Sequence, residues 1–180
     1  MKNLHLVFFA IVSLAISSCK DNPKQTEPEV VTVDNTEAKT YEIAKTEAEF
    51  NDPKVEAIFN QYLQIEVGLI NTDVSKTTVA ASKLQELLKE TNADEESQNA
   101  VAAMANATDI KTQRENFETL SKGLENMLTG ALKSGTLYKQ FCPMAFNNKG
   151  AYWISSSEDI LNPYFGDKML KCGRVDSKVK

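Results

Sequence analysis

Four sulfur-bearing residues near the C-terminal end have types and spacings that suit the binding of a soft metal ion. Cys142 and Met144 are two positions apart, and Met169 and Cys172 are three positions apart. Pro143 favours an extended backbone at Cys142, which allows the first two sulfurs to point to one side. A spacing of three puts the second two on one face of a helix. Thiolate and thioether ligands select Cu(I) and Ag(I), so these four residues are candidate ligands for either ion.

The same two cysteines offer a second interpretation, which is a disulfide bond. A Cys142–Cys172 bond would close a loop of about 30 residues and stabilise the fold by about 3–4 kcal/mol. Met144 and Met169 would then be ordinary packing residues. On the residues alone, the disulfide or two unoccupied thiols is favoured, because cysteine pairs in an oxidising compartment usually oxidise. The two interpretations exclude each other, since metal binding requires both thiols to be reduced.

The first 19 residues indicate export and lipidation. Residues 1–18 contain Lys2 and then an apolar run that is too short to span a membrane. The run ends in Ile16-Ser17-Ser18-Cys19, which resembles a bacterial lipobox. We therefore expect lipid on Cys19 and anchoring to a membrane in the envelope of a Gram-negative bacterium. Lys20-Asp21 differs from the pattern of inner-membrane retention, in which aspartate follows the cysteine directly, and this favours the outer membrane.

Removal of that signal sequence narrows the classes of function. The mature chain would carry a net charge of about −6 without a basic block, which excludes nucleic acid as a partner. Its only histidine, His5, would be removed as well. Nucleophiles that depend on histidine and His-rich metal sites are then excluded. The sequence also contains no Cys-x-x-Cys, phosphate-loop or nucleophile-elbow motif. We therefore predict that the protein is not an enzyme.

The hydrophobic pattern predicts a mostly α-helical fold, namely an antiparallel four-helix bundle. Apolar residues recur at helical spacing in four segments that begin near positions 52, 73, 95 and 109, the last reaching about 133. Residues 19–51 are polar and contain two prolines, so we predict a flexible tether there. A single domain is expected over residues 52–175, followed by a tail at 176–180.

Residues 137–173 form an aromatic-rich segment that we predict to be a small cap on the bundle. Short aromatic-rich stretches at 137–146 and 151–155, separated by Asn147-Asn148-Lys149-Gly150, favour a β-hairpin with a four-residue loop. A single helical turn is expected after Ser155, and another short helix over Asp167–Cys172. The aromatic side chains of the cap either form a partner surface or pack between the hairpin and the bundle; they are Tyr152, Trp153, Tyr164 and Phe165.

The order of motifs in this cap resembles a bacterial family of unknown function. The motifs are Cys142-Pro143-Met144-Ala145, Gly150-Ala151-Tyr152-Trp153-Ile154-Ser155, Asn162-Pro163-Tyr164-Phe165-Gly166 and Met169-Leu170-x-Cys172-Gly173. Members of that family are small lipoproteins or exported proteins, and the domain is also fused to periplasmic adaptor subunits of copper and heavy-metal efflux pumps. The resemblance extends over about residues 55–175. It implies metal handling through Cys142, Met144, Met169 and Cys172, with efflux adaptors or metallochaperones as partners. Ala145 stands where a separate short metal-binding motif of those adaptors has histidine.

Two functions therefore follow as expectations. The first is a lipid-anchored envelope protein that binds or relays Cu(I) or Ag(I) by exchange between soft ligands. The alternative is a disulfide-stapled module, without metal, that presents its aromatic cap to a protein partner.

Overall fold

Four α-helices follow one another along most of the described chain. The computed structural model describes residues 39–43 and 45–180. Each helix starts after an aspartate whose carboxylate accepts a hydrogen bond from a backbone N–H two or three residues later, which caps the helix. These aspartates are Asp52, Asp73, Asp94 and Asp109. The helices are α1 (Pro53–Ile70), α2 (Val74–Glu90), α3 (Glu95–Asn106) and α4 (Ile110–Leu128). The predicted mostly helical class and the four helix starts are confirmed.

Consecutive helices pack against each other, and α4 also returns to α1. The Gln61 side chain of α1 donates to the Ala80 carbonyl of α2. Near the other end of α1, Gly68 faces Thr77, so α1 and α2 run antiparallel. An added Cβ at Gly68 would lie 2.4 Å from the Thr77 hydroxyl oxygen and 2.9 Å from its backbone nitrogen. Glycine therefore permits the close approach of these two helices.

The last long helix ends earlier than the hydrophobic pattern predicts. α4 stops at Leu128, and the predicted extension to about 133 is wrong. Strand β2 (Leu132–Ser134) instead pairs antiparallel with strand β1 (Glu49–Phe50). The predicted tether to residue 51 is too long for the same reason, because Phe50 and Ala48 are buried in the core. Pairing with a strand more than 80 residues away overrides the local helical pattern.

The C-terminal cap contains a three-stranded antiparallel sheet rather than a hairpin alone. Strand β3 (Leu137–Cys142) lies in the centre, between β4 (Ala151–Ser155) and β5 (Arg174–Val179). Residues 176–179, predicted as part of a tail, therefore belong to a strand that pairs with β3. Strand β4 of this sheet packs against α4.

The connections of the cap also differ from the prediction. Residues 143–150 link β3 to β4 and include the short segment α5 (Ala145–Asn148). Phe146, Asn147 and Asn148 all have positive φ, so the predicted four-residue loop is replaced by a left-handed turn. No helical turn follows Ser155, and the helix predicted over Asp167–Cys172 is a 3₁₀ turn at Gly166–Met169.

A connected series of aromatic rings joins the bundle to the cap. Neighbouring ring centroids lie 4.9–6.2 Å apart along the series Phe50, Phe59, Tyr62, Phe117, Tyr164 and Trp153. All six rings are buried. Such ring contacts add to the stabilisation that their burial provides.

The described helices lack the combination of length and apolar character that crossing a membrane requires.

Candidate functional site

The two cysteines of the cap lie side by side. Cys142 ends strand β3 and is fully buried, and Cys172 is half-buried in the turn that precedes β5. Their sulfur atoms are 3.7 Å apart, and both are free thiols. The structure therefore brings together the pair that the sequence singled out, although 30 residues separate them.

Asn162 holds the segment that carries Cys172. Its side-chain amide donates a 2.6 Å hydrogen bond to the Cys172 carbonyl oxygen, and its side-chain oxygen accepts one from the Tyr164 backbone. The Asn162 backbone N–H donates to the Leu170 carbonyl, and its carbonyl accepts from Gly166. Because Asn162 is fully buried, these four bonds are shielded from water. They fix the backbone position of Cys172 relative to the rest of the cap.

The residue that follows Cys172 packs closely against the sheet. A Cβ at Gly173 would lie 3.1 Å from the Trp153 ring and 3.1 Å from the Phe141 carbonyl oxygen. Glycine next to Cys172 therefore allows the last turn to lie directly on the sheet. Burial raises the pKa of the Cys172 thiol, and the neighbouring Cys142 thiol raises it further. Cys172 thus holds its proton more strongly than an ordinary cysteine.

The two predicted thioether ligands line a surface cavity. Met144 is 45% exposed and Met169 is half-buried, and both border a cavity of about 970 Å³ between α4 and the loops of the cap. Neither cysteine lines that cavity. The structure therefore brings the two thiols together, whereas the two thioethers line the cavity apart from them.

The interpretation of the cap aromatics as a partner surface does not hold for two of the four. Trp153 is fully buried and Tyr164 is 6% exposed, so they belong to the core. Tyr152 and Phe165 are half-buried. The Tyr164 hydroxyl donates to the Tyr152 carbonyl, which ties the turn to strand β4. The alternative that the sequence left open, packing between cap and bundle, describes Trp153 and Tyr164.

One buried acid beneath the cap was missed by the sequence analysis. Glu66 of α1 is fully buried, and neither carboxylate oxygen has a hydrogen-bond partner among the described residues. Burial raises its pKa well above the usual range, and the nearby Ser155 hydroxyl and Trp153 indole oppose this shift only in part. Spacing alone points to this position, because Glu66 lies among the apolar residues Tyr62, Ile65 and Leu69 on one helix face.

The Tyr62 hydroxyl provides a polar link between bundle and cap. It shares a 2.7 Å hydrogen bond with the Ser121 hydroxyl of α4 and accepts one from the Ile154 backbone of β4. Burial raises the Tyr62 pKa, and the neighbouring Glu66 raises it further. This hydroxyl stays protonated and serves as a structural link.

The predicted lipid site lies outside the part of the chain that can be described. Cys19, the signal sequence over residues 1–18 and the tether up to residue 38 have no described structure. Lipidation of Cys19 therefore stays a prediction from the sequence.

Comparison with known proteins gives one match. The model of a family described as "Protein of unknown function (DUF3347)" matches residues 58–135, which include most of α1 and end before β3. No curated protein and no solved structure matches the chain. The match supports the expected domain of unknown function. It covers less than half of the chain and does not include Cys142, Met144, Met169 or Cys172. Residues 58–135 are thus similar to a family whose description assigns no activity.

Proposed function

We propose that the protein binds one soft metal ion, Cu(I) or Ag(I), between the thiols of Cys142 and Cys172. The observation that carries the proposal is the 3.7 Å distance between the two sulfurs. With a zinc–thiolate bond of about 2.3 Å as a guide, two sulfurs on one ion lie about 3.8 Å apart at a tetrahedral angle. A disulfide requires about 2.05 Å. The separation of these thiols is close to the first value, which is also the contact distance of two unbound thiols, so an ion could bind with little movement of either residue.

The donor set favours a soft ion over a hard one. The described residues contain no group of three or more His, Cys, Asp and Glu side chains that could hold a metal ion. A site of two thiols with thioethers near it in the chain suits Cu(I) and Ag(I), whereas Mg²⁺ and Ca²⁺ prefer oxygen ligands. Met144 and Met169 are the proposed thioether ligands, and their cavity is the side from which an ion would arrive.

The rest of the chain would anchor and support this site. We propose that lipid on Cys19 attaches the protein to the outer membrane, and that α1–α4 form an antiparallel bundle that supports the cap. Hydrogen bonds of the Tyr62 hydroxyl to Ser121 and Ile154 connect the two parts. Metal-efflux adaptors or metallochaperones are the proposed partners, and the support for them is the resemblance of the cap motifs. The proposed role is relay of the ion, without catalysis.

The same pair of thiols supports the alternative function. A Cys142–Cys172 disulfide would staple β3 to the turn before β5 and give a metal-free interaction module. Oxidation would close the loop of about 30 residues and add about 3–4 kcal/mol of stability. The observation in its favour is again the contact of the two sulfurs.

An anaerobic titration distinguishes these functions. The protein is purified without metal, its free thiols are counted, and Cu(I) is added against a competing chelator. The proposal expects two free thiols and one tightly bound ion, with binding lost in the Cys142→Ser/Cys172→Ser variant. A Met127→Leu variant, changed in the bundle, serves as the control and retains binding. If the protein binds no Cu(I) before or after treatment with a reductant, the metal proposal fails and the alternative remains.

A further inference from the structure

A mixed cavity beside α4 has the composition of a small-molecule site, which is a role beyond the passage of an ion that the proposed function gives it. It has a volume of about 970 Å³ and lies between the first half of α4, the left-handed turn at 145–148 and the turn at 164–169. Small-molecule sites are typically concave, about 300–1,000 Å³ in volume and mostly apolar with a few polar groups. The size of this cavity therefore suits a small ligand.

The charges around the cavity leave an excess of positive groups. Its lining includes four cationic side chains and two acidic ones. Both acids are already paired, Glu115 with Lys111 at 3.6 Å and Glu118 with Lys122 at 2.8 Å. Lys149 and Lys168 are exposed and have no carboxylate within ion-pair distance among the described residues. An anionic group in the cavity could pair with the ammonium groups of Lys149 and Lys168, which no described carboxylate compensates.

A third cation lies deeper in the wall. Arg114 is half-buried and donates to the carbonyl oxygens of Pro163 and Leu69 and to the Thr72 hydroxyl. None of these acceptors carries a charge, and within the described residues the guanidinium has no acidic partner. Burial lowers its pKa, which reflects the cost of a charge without a counter-ion. An anion in the cavity would compensate that charge.

The opposite side of the cavity is apolar and rigidly held. Phe146 and Phe165 are half-buried there, and Met144 is one of two large apolar residues that the described chain leaves exposed. The Phe146 ring packs edge-on against Tyr164 at 5.4 Å. Backbone hydrogen bonds from Lys149 and Gly150 to Phe146 and Ala145 close the left-handed turn that presents this ring. An aromatic or aliphatic body would therefore cover exposed apolar surface.

We propose that this cavity binds a small amphipathic carboxylate. The apolar body of the ligand lies on Phe146, Phe165 and Met144, and its carboxylate faces Lys149 and Lys168, with Arg114 contributing from the wall. The cavity includes the proposed thioether ligands Met144 and Met169 but neither thiol, because Cys142 and Cys172 do not line it.

Calorimetric titration with 2-naphthoate tests the proposal on the full chain. Its neutral analogue, 2-naphthamide, has the same apolar body without the charge. We expect binding of 2-naphthoate in the micromolar to low millimolar range, with 2-naphthamide at least tenfold weaker. The Lys149→Gln/Lys168→Gln variant should bind 2-naphthoate about tenfold more weakly, and raised salt should weaken binding by the wild-type protein.

Two control variants separate this site from other effects. Lys83→Gln/Lys89→Gln removes the same charge from exposed positions of α2 and should leave binding unchanged. Cys142→Ser/Cys172→Ser should also leave it unchanged, so failure of the metal proposal would not affect this one. The proposal would be overturned by any of three results. These are no binding of 2-naphthoate up to several millimolar, equal binding of 2-naphthamide, or unchanged affinity in the Lys149→Gln/Lys168→Gln variant.

Discussion

The side chain of Asn162 donates a 2.6 Å hydrogen bond to the carbonyl oxygen of Cys172. This bond joins two turns of the cap that contain little regular structure. Cys142, in contrast, is fixed by the pairing of β3 with both neighbouring strands. The distance between the two thiols therefore depends on a strand on one side and on a single buried amide on the other.

We predict that Asn162→Ala weakens both the cap and the metal site. Loss of the amide leaves the Cys172 carbonyl and the Tyr164 N–H without these partners, which should cost about 1–3 kcal/mol in the free energy of unfolding. Cu(I) affinity should fall about tenfold, because Cys172 is no longer held beside Cys142. Chemical denaturation and chelator competition measure the two effects. Asn60→Ala, at an exposed position of α1, is the matched control. Unchanged Cu(I) affinity in the Asn162 variant would show that Asn162 does not position the thiols.

The segment just before α1 should contribute to the stability of the fold, which a flexible tether would not do. Phe50 is 9% exposed, and its ring centroid lies 5.7 Å from that of Phe59. Phe50→Ala should therefore lower the free energy of unfolding by about 3 kcal/mol through lost burial and a residual cavity. Urea denaturation measures the change, with Glu47→Ala at an exposed neighbouring position as the control. A loss below about 0.5 kcal/mol would mean that this segment is not part of the folded core in solution.

The helices were predictable from the sequence because their signals are local. Each start has an aspartate cap, and each buried face repeats at helical spacing. The sheet of the cap was only partly predictable, since the pairing of Leu137 with Val179 joins positions more than 40 residues apart. The aromatic-rich stretch at 137–142 indicates a strand but does not identify its neighbours.

The candidate site was predictable in its members but not in its arrangement. Residue type identified Cys142, Cys172, Met144 and Met169, because soft ligands are rare in this chain. Spacing could not show that the thiols meet at the sheet while the methionines face a cavity. Asn162 was identified only as a member of a motif, since an Asn-Pro sequence gives no information on what the amide binds.

Glu66 should make the stability of the protein depend on pH. Burial raises its folded-state pKa well above the unfolded value, so the folded protein holds this proton more tightly. Protonated Glu66 contributes its full stabilisation below the unfolded-state pKa of about 4.3. As the pH rises from there towards the folded-state pKa, the free energy of unfolding falls by up to about 1.4 kcal/mol per pH unit. Denaturation of wild type and Glu66→Gln between pH 5 and pH 8 measures the difference.

The glutamine variant keeps the shape of the side chain but cannot ionise. Its unfolding free energy, relative to wild type, should therefore increase with pH over that range. A difference that stays constant from pH 5 to pH 8 would contradict a raised pKa at Glu66. Glu86→Gln, at an exposed position of α2, controls for the loss of one acid and should follow wild type.

Cu(I) affinity should rise with pH, because binding requires thiolates and releases their protons. The pKa of Cys172 is raised by burial and by Cys142, so the affinity should continue to rise with pH above the pKa of an ordinary cysteine. Release of this proton alone should increase the affinity by up to tenfold per pH unit below that pKa. Competition with a chelator of known proton affinity, at pH 6.5, 7.5 and 8.5, measures the slope. The Cys172→Ser variant should bind weakly and lose that part of the slope. An affinity for wild type that does not change with pH would place the ion on ligands that carry no proton, such as Met144 and Met169.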